Sequence, residues 1–485
     1  MKNLIIRYKK PIKCILINCI FLIMILLSNI QSIRYIWIPI VLVYLVYICL
    51  LTEFECVYNQ IVLLLSFSFF YEFLWRSKPS LNVPLSVVYT VDVISIILIF
   101  KIIINFKKYN KVLKDKIFIV ILIFISISII VYLVGDIDFI NYIMCIRIYL
   151  RFVPVYIILS NSTEIFKKED LIILIICNLI PLPILAIKFH QDDFSGIFGI
   201  SSVQTFFLFI LIIYIWIIVL CLNREIKSKY SILSTIIIFI LFGLGEIKLA
   251  FILMPIILGV ILLVNKKNII FMVKLTISVI VMSTIAINIL ISVEPEFKNF
   301  FKLDKIKQNV INYTMKTNNH EFELGRLENI LYTHQYILTD TSKKIFGLGI
   351  GSSMPNENWY YERNANQIGK EVFTLYKTNM YKQYGYNFGY QFSSMNIIYL
   401  ENGIIGVIIF YLLVILIIIR SMFLIKRSSC IIDKCIGNIA FAFMLAWIPL
   451  MYYYSYFLER SPMYMCILIS ALVTNRYNKL KKYGN

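Results

Sequence analysis

Charge is scarce in this chain. Asp, Glu, Lys and Arg make up 15% of the 485 residues, hydrophobic residues 60%, and the mean hydropathy is +0.82. That shortage excludes a string of soluble domains, since ordinary globular domains are about 25% charged. Histidine is scarcer still: His190, His320 and His334 are too scattered for a histidine-built metal cluster. None of the ten cysteines falls between residues 294 and 395, so the longest polar stretch has no disulfide framework. Cys430 and Cys435 lack a second ligand pair and read as free thiols. The same stretch holds no D-x-D pair. Asp136 and Asp138 form such a pair in a short loop, where a solvated turn competes with a metal-nucleotide site.

What is present is apolar sequence in runs of membrane length. Spans are expected near 12–30, 35–51, 57–75, 85–105, 117–134, 139–159, 171–188, 199–222, 231–244, 248–264, 269–292, 396–419, 436–455 and 462–474. The expected fold is thus an all-α polytopic membrane protein with about 14 transmembrane helices. The first run follows Lys2, Arg7, Lys9 and Lys10 like a signal peptide, but no small-residue cleavage site follows, which argues for a retained span. With the N-terminus inside, cytoplasmic segments hold 24 basic residues and the short outer loops five, an asymmetry that places both termini in the cytoplasm. It also accounts for most of the net charge of +20 without a nucleic-acid partner. Three parts follow: residues 1–293 with eleven spans, 294–395 as an extracytoplasmic loop domain, and 396–485 with three spans and a cytoplasmic tail.

The loop holds 12 basic and 10 acidic residues and is rich in aromatics, including Trp359, Tyr360 and Tyr361, which argues for a folded ectodomain over disorder. Flat aromatic faces suit sugar rings, although for any single one a place in the ectodomain's own core or at the membrane interface is the more ordinary role.

Cations inside spans are costly and point to function or pairing. Arg147 and Arg151 lie four residues apart, one above the other on a helix. Asp92 and Glu72 are available as ion-pair partners; alternatively the two guanidinium groups clamp a diphosphate, and both readings hold together if the carboxylates tether the arginines at rest. Gly243 and Gly245 are expected to break the ninth span near the outer surface. Lys248 then opens the tenth, either as an anion site at a helix N-terminus or as a snorkelling lysine paired with Glu246. In the loop, Leu327, Ile330, Leu331, His334, Ile337 and Leu338 recur at helical steps behind Arg326. A turn, Phe346-Gly347-Leu348-Gly349-Ile350-Gly351, follows; it lacks the strand and lysine of a nucleotide-binding loop.

The order of Gly325-Arg326, amphipathic helix and glycine-rich turn resembles the large-loop signature of the O-antigen polymerase and ligase superfamily. Glu401-Asn402-Gly403-Ile404-Ile405-Gly406 is similar to that family's Glu-x-Gly segment. The hairpin bearing Lys248 is similar to its Ser-Arg-Gly-Ala step, with lysine in place of arginine. Together the motifs cover roughly the C-terminal half of the chain. The ligase branch carries a histidine before the Glu-x-Gly glycine; here that neighbourhood is Gln391-Phe392-Ser393-Ser394-Met395-Asn396, which favours the polymerase branch.

The resemblance implies a GT-C-like architecture with a mostly helical outer loop, in a bacterial cytoplasmic membrane. It implies elongation of a capsular or O-antigen type polysaccharide from oligosaccharide units linked to a polyprenyl diphosphate such as undecaprenyl diphosphate. Arg147, Arg151, Lys248 and Arg326 are the expected diphosphate ligands. His334 and Glu401 are the nearest titratable candidates for the general base. No cofactor or metal is expected. The implied partners are the lipid-linked oligosaccharide, membrane lipids, and a flippase and chain-length regulator of the same pathway. A lipid-linked oligosaccharide flippase and an O-antigen ligase remain the rival readings.

Overall fold

A computed structural model describes residues 90–135, 137, 139–162, 203–244, 248–265, 269–293, 326–352, 393–453 and 460–483, with isolated positions at 43, 46 and 64. Among the described residues the chain is almost wholly helical and contains no strand. In order the helices are α1 (Thr90–Ile104), α2 (Phe106–Tyr109), a 3₁₀ turn (Asn110–Lys114), α3 (Lys116–Val134), α4 (Phe139–Leu150), α5 (Val153–Ser160) and α6 (Val203–Leu222). Next come α7 (Ser228–Leu244), α8 (Lys248–Asn265), α9 (Ile269–Val293), α10 (Arg326–Tyr332), a π turn (Thr333–Ile337) and α11 (Thr341–Phe346). The last three are α12 (Ser394–Arg427), α13 (Ile431–Tyr453) and α14 (Arg460–Tyr483).

An all-α protein with membrane-length apolar helices is therefore what the chain builds. The expected count of about fourteen spans does not emerge. Among the described residues, four helices are long and apolar enough to cross a bilayer: Lys116–Val134, Gln204–Leu222, Ser394–Arg427 and Ile431–Tyr452. The segments Ser228–Gly243, Leu249–Asn265 and Val273–Ile285 are apolar but shorter. Apart from the isolated positions 43, 46 and 64, the expected spans 12–30, 35–51, 57–75 and 171–188 lie outside the described residues. The sixth expected span is two helices: α4 ends at Leu150, and α5 starts at Val153 with Pro154 in its first turn, where a missing N–H costs nothing. The helix through Gly243 ends one residue later at Leu244 and the next opens at Lys248, so the chain breaks where the glycines are expected to break it; Gly245 lies outside the described residues.

The apolar helices divide by what surrounds them. Gln204–Leu222 is wrapped by its neighbours, with 89% of its central window buried, and Phe206, Tyr214 and Trp216 are at most 1% exposed. It is apolar all round because every face meets protein. Lys116–Val134 has only 22% of its window buried and presents Ile119, Leu122, Ile123, Ile130 and Leu133 outward. Such a broad apolar exterior suits lipid rather than water. α12 packs most extensively on α13, where Gly437 lets the helices approach: a Cβ there would meet the Ser421 carbonyl oxygen at 2.9 Å.

One polar cluster pins this bundle. Asp115 caps α3, its Oδ1 accepting from the N–H groups of Ile117 and Phe118 at 3.0 and 3.4 Å. The same carboxylate pairs with Arg420 of α12 at 2.9 and 3.3 Å and accepts the Tyr156 hydroxyl of α5 at 2.7 Å. Arg420 also donates to Thr474 of α14 at 2.6 Å and lies over the Tyr477 ring. Charge alone groups Arg420 with the flanking cytoplasmic cations. In the structure α12 runs on to Arg427, so Arg420 lies two turns inside the helix and is 5% exposed. Nineteen residues separate it from Glu401 on the same helix, about 28 Å at 1.5 Å per residue, close to the bilayer's hydrocarbon thickness.

Candidate functional site

The second polar layer surrounds Glu401. Gly403, at φ 60° and ψ −161°, breaks α12 internally. A helix break leaves carbonyls without their usual donors. Those of Leu400 and Glu401 are taken by Leu348 N–H at 2.9 Å and Gly349 N–H at 2.8 Å, so the glycine-rich turn fills the hydrogen bonding that the break opens. Turn and break fit only because both are glycine where they cross. A Cβ on Gly347 would lie 2.4 Å from the Glu401 carbonyl carbon, and one on Gly403 would lie 2.3 Å from the Ile345 carbonyl oxygen.

The Glu401 side chain continues the interlock. It is 2% exposed; Oε1 accepts the Gly351 N–H at 3.1 Å and Oε2 accepts the Tyr149 hydroxyl of α4 at 2.9 Å. Ile350 is buried in one apolar cluster with Tyr142, Cys145, Ile146 and Tyr149 of α4. Three segments far apart in sequence thus meet: the arginine-bearing helix, the glycine turn and the broken helix. Cys145 is within electrostatic reach of Glu401, Arg147 and Arg151 together.

The two arginines have different surroundings. Arg147 pairs with Asp92 of α1 at 3.4 Å, as the ion-pair alternative expects; Glu72 lies outside the described residues. Arg151 is 5% exposed, its N–H donates to the Arg147 carbonyl at 2.9 Å, and its own carbonyl accepts the Ser95 hydroxyl at 2.6 Å. Arg147 is thus tied to α1 through its side chain and Arg151, one turn on and just past the end of α4, through its backbone carbonyl.

Lys248 and Arg326 are the first residues of α8 and α10, as expected, and the structure describes only the backbone of each. The expected amphipathic helix is real only in part. α10 gives way to a π turn in which the Leu338 N–H bonds the Thr333 carbonyl five residues back at 2.8 Å. The buried stripe differs from the expected one. Ile337, Leu338, Asn329 and Thr333 are buried, whereas Leu331 and His334, expected on the inner face, are exposed. His334 Nδ1 and the Tyr399 hydroxyl are hydrogen-bonded at 2.5 Å. Tyr399 and Glu401 are two residues apart and point to different sides of α12, so the two candidate bases do not share one face.

Around Glu401 several buried polar atoms have no hydrogen-bond partner among the described residues: Nδ2 and Oδ1 of Asn396 and Oγ of Ser352. Asn396 is 0% exposed and Asn402 6%. Asn402 lies beside the Tyr149 hydroxyl and over Gly406, whose Cβ would meet the Asn402 Cβ at 2.3 Å. Each stranded polar group costs about 1–3 kcal/mol. Sequence reading misses Asn396 because asparagine near a helix start looks like ordinary capping.

Asp136, Asp138 and the loop aromatics at 353–392 lie outside the described residues. Among those described, no group of three or more His, Cys, Asp or Glu could hold a metal ion. No protein family, curated protein or solved structure matches the chain.

Proposed function

We propose that the chain is a membrane glycosyltransferase that joins polyprenyl-diphosphate-linked oligosaccharide units into a surface polysaccharide. One observation carries the reading: the glycine turn and the Glu401–Gly403 break, the two motifs on which the family resemblance rests, interlock with each other and with α4, which bears Arg147 and leads directly into Arg151. A donor of this class has a lipid tail, a diphosphate and sugars. The apolar helix exteriors suit the first, the clustered cations the second, and the buried amides and hydroxyls the third. In the proposed reaction an acceptor hydroxyl attacks the anomeric carbon, the bond to the diphosphate oxygen breaks, and the polyprenyl diphosphate leaves with that electron pair. Arg147 and Arg151 stabilise the departing charge, with Lys248 and Arg326 assigned to the same role from the resemblance. His334 takes the hydroxyl proton, because Glu401 has both oxygens engaged in the interlock.

The site is placed on the extracytoplasmic face of a bacterial cytoplasmic membrane, with about fourteen spans in the whole chain and both termini cytoplasmic. The skew of basic residues supports this sidedness. The flippase and chain-length regulator of the pathway are its proposed protein partners.

The test is elongation by purified protein of a polyprenyl-diphosphate-linked repeat unit, followed as a ladder on a gel. A ladder that vanishes in Arg147→Ala and Arg151→Ala, with both variants still in the membrane fraction, supports the reading. Vesicle translocation of the lipid-linked unit without any lengthening would assign the chain to the flippase class instead, and transfer to a different acceptor would assign it to the ligase class.

A further inference from the structure

We infer that the connection between α1 and α3 is a docking site for an anionic phospholipid, with Lys107, Lys111 and Lys114 on the headgroup and Phe106 and Leu113 among the acyl chains. The inference is independent of the glycosyltransferase reading and needs only the membrane character of the chain. Residues 106–116 read Phe-Lys-Lys-Tyr-Asn-Lys-Val-Leu-Lys-Asp-Lys, with five lysines and a single carboxylate. All five lysines are exposed. Asp115 is buried and committed to Arg420, Tyr156 and the cap of α3, so it offers those lysines little neutralisation.

The fold holds this charge in a fixed array. Tyr109, Val112 and Asp115 recur at three-residue steps and are all buried, which matches the repeat of the 3₁₀ turn and directs one side of the connection into the bundle. The same repeat aligns Lys111 with Lys114, and Lys107 comes four residues before Lys111, one helical turn away. Phe106 and Leu113, seven residues apart, lie exposed on the flank beside them. Lysine and apolar flanks side by side are the pattern of an element that lies in the membrane interface.

The surroundings put this element at headgroup depth. α1 exposes Ile96, Ile99 and Ile103 and α3 exposes Ile119, Leu122 and Ile123, so the connection lies where two lipid-facing surfaces end. Asp115 itself belongs to the Arg420 layer. Beyond that layer α12 ends in exposed Lys426 and Arg427, and α14 in exposed Lys481 and Lys482. Asp433, the carboxylate of α13, is buried and paired with Arg476. In the connection, α12, α13 and α14, the exposed charge at this end is therefore all positive, the complement of an anionic leaflet. The apolar flank chooses among anions. Free phosphate or an acidic peptide would leave Phe106 and Leu113 in water, whereas a phospholipid brings phosphate and hydrocarbon together.

The experiment titrates the full chain in non-ionic detergent with dihexanoyl phosphatidylglycerol, with dihexanoyl phosphatidylcholine and with inorganic phosphate. Bound ligand is counted by native mass spectrometry and Tm is followed in parallel. Phosphatidylglycerol should bind roughly tenfold or more tightly than phosphatidylcholine and raise Tm. That advantage should shrink in about 0.5 M salt. Lys107→Gln, Lys111→Gln and Lys114→Gln combined should weaken phosphatidylglycerol binding by roughly 100-fold, about fivefold per lysine, and arginine at the same three positions should keep it. Phe106→Ser with Leu113→Ser should weaken both lipids. Lys227→Gln with Lys229→Gln, at the start of α7, should leave phosphatidylglycerol affinity within about twofold. Equal affinity for the two lipids, inorganic phosphate that matches phosphatidylglycerol, or undiminished phosphatidylglycerol affinity in the triple glutamine variant overturns the inference. Should the triple variant fail to fold, Lys111→Gln alone decides: a loss of about fivefold supports the site and an unchanged affinity overturns it. None of these readouts uses elongation, so the site stands or falls apart from the polymerase reading.

Discussion

Replacing Arg420 by methionine tests whether the Asp115 cluster is the pin of the bundle. Methionine keeps most of the alkyl volume and removes the guanidinium. Gone with it are the ion pair and hydrogen bond to Asp115 at 2.9 and 3.3 Å, the 2.6 Å bond to Thr474, and the stacking over Tyr477. Removing one partner of a buried ion pair costs about 3–5 kcal/mol, mostly because the other charge stays behind. Asp115 would keep the Tyr156 hydroxyl and two backbone N–H donors, which holds the loss near the lower end, about 3 kcal/mol. Asp115→Asn should cost more, about 4 kcal/mol, since it strands a cation whose remaining hydrogen bond in the cluster is to Thr474. Asparagine still caps α3, so the helix start should not unravel. The double variant leaves no unpaired charge and should lose only about 2 kcal/mol, far below the sum of the singles. Unfolding in mixed micelles across the four-protein cycle measures all three. Additive losses, or less than about 1 kcal/mol for Arg420→Met, would refute the account of a coupled buried pair.

Gly403→Ala drives a methyl group against the Ile345 carbonyl at an unfavourable φ and should cost about 3 kcal/mol, read as a lower Tm and as faster protease cleavage near residues 347–352. Tyr149→Phe removes one hydrogen bond to the buried Glu401 carboxylate and should destabilise by about 2 kcal/mol; an unchanged Tm would mean that the carboxylate is held by Gly351 alone. His334→Ala alters an exposed residue and should change stability by no more than about 0.5 kcal/mol while cutting elongation by at least 100-fold if it is the base. Wild-type elongation in that variant would return the proton to another group.

The helical starts of Lys248 and Arg326 are legible in the sequence because hydropathy runs and amphipathic steps are local signals. So are the membrane character and the glycine and Glu-x-Gly motifs as separate features; the ion pair of Arg147 with Asp92 is one of two open alternatives until the fold chooses it. Local signals misjudge what depends on neighbours. The buried stripe runs through Asn329, Thr333, Ile337 and Leu338, which leaves Leu331 and His334 outward, and Arg420, near the end of a hydropathy run, is buried. Asn396 carries no sequence mark that separates an unsatisfied amide from a satisfied one.

By itself, then, the sequence determines that these segments are helices with apolar exteriors, because the cost of exposing backbone and polar side chains to lipid is set residue by residue. Only the tertiary structure decides partnership. Tyr149 meets Glu401 across 252 residues and Asp115 meets Arg420 across 305, so neither pairing is visible to any window along the chain. The reason is physical: a buried charge or a broken helix is tolerated only where packing delivers its complement, and the path of the whole chain sets which complement arrives.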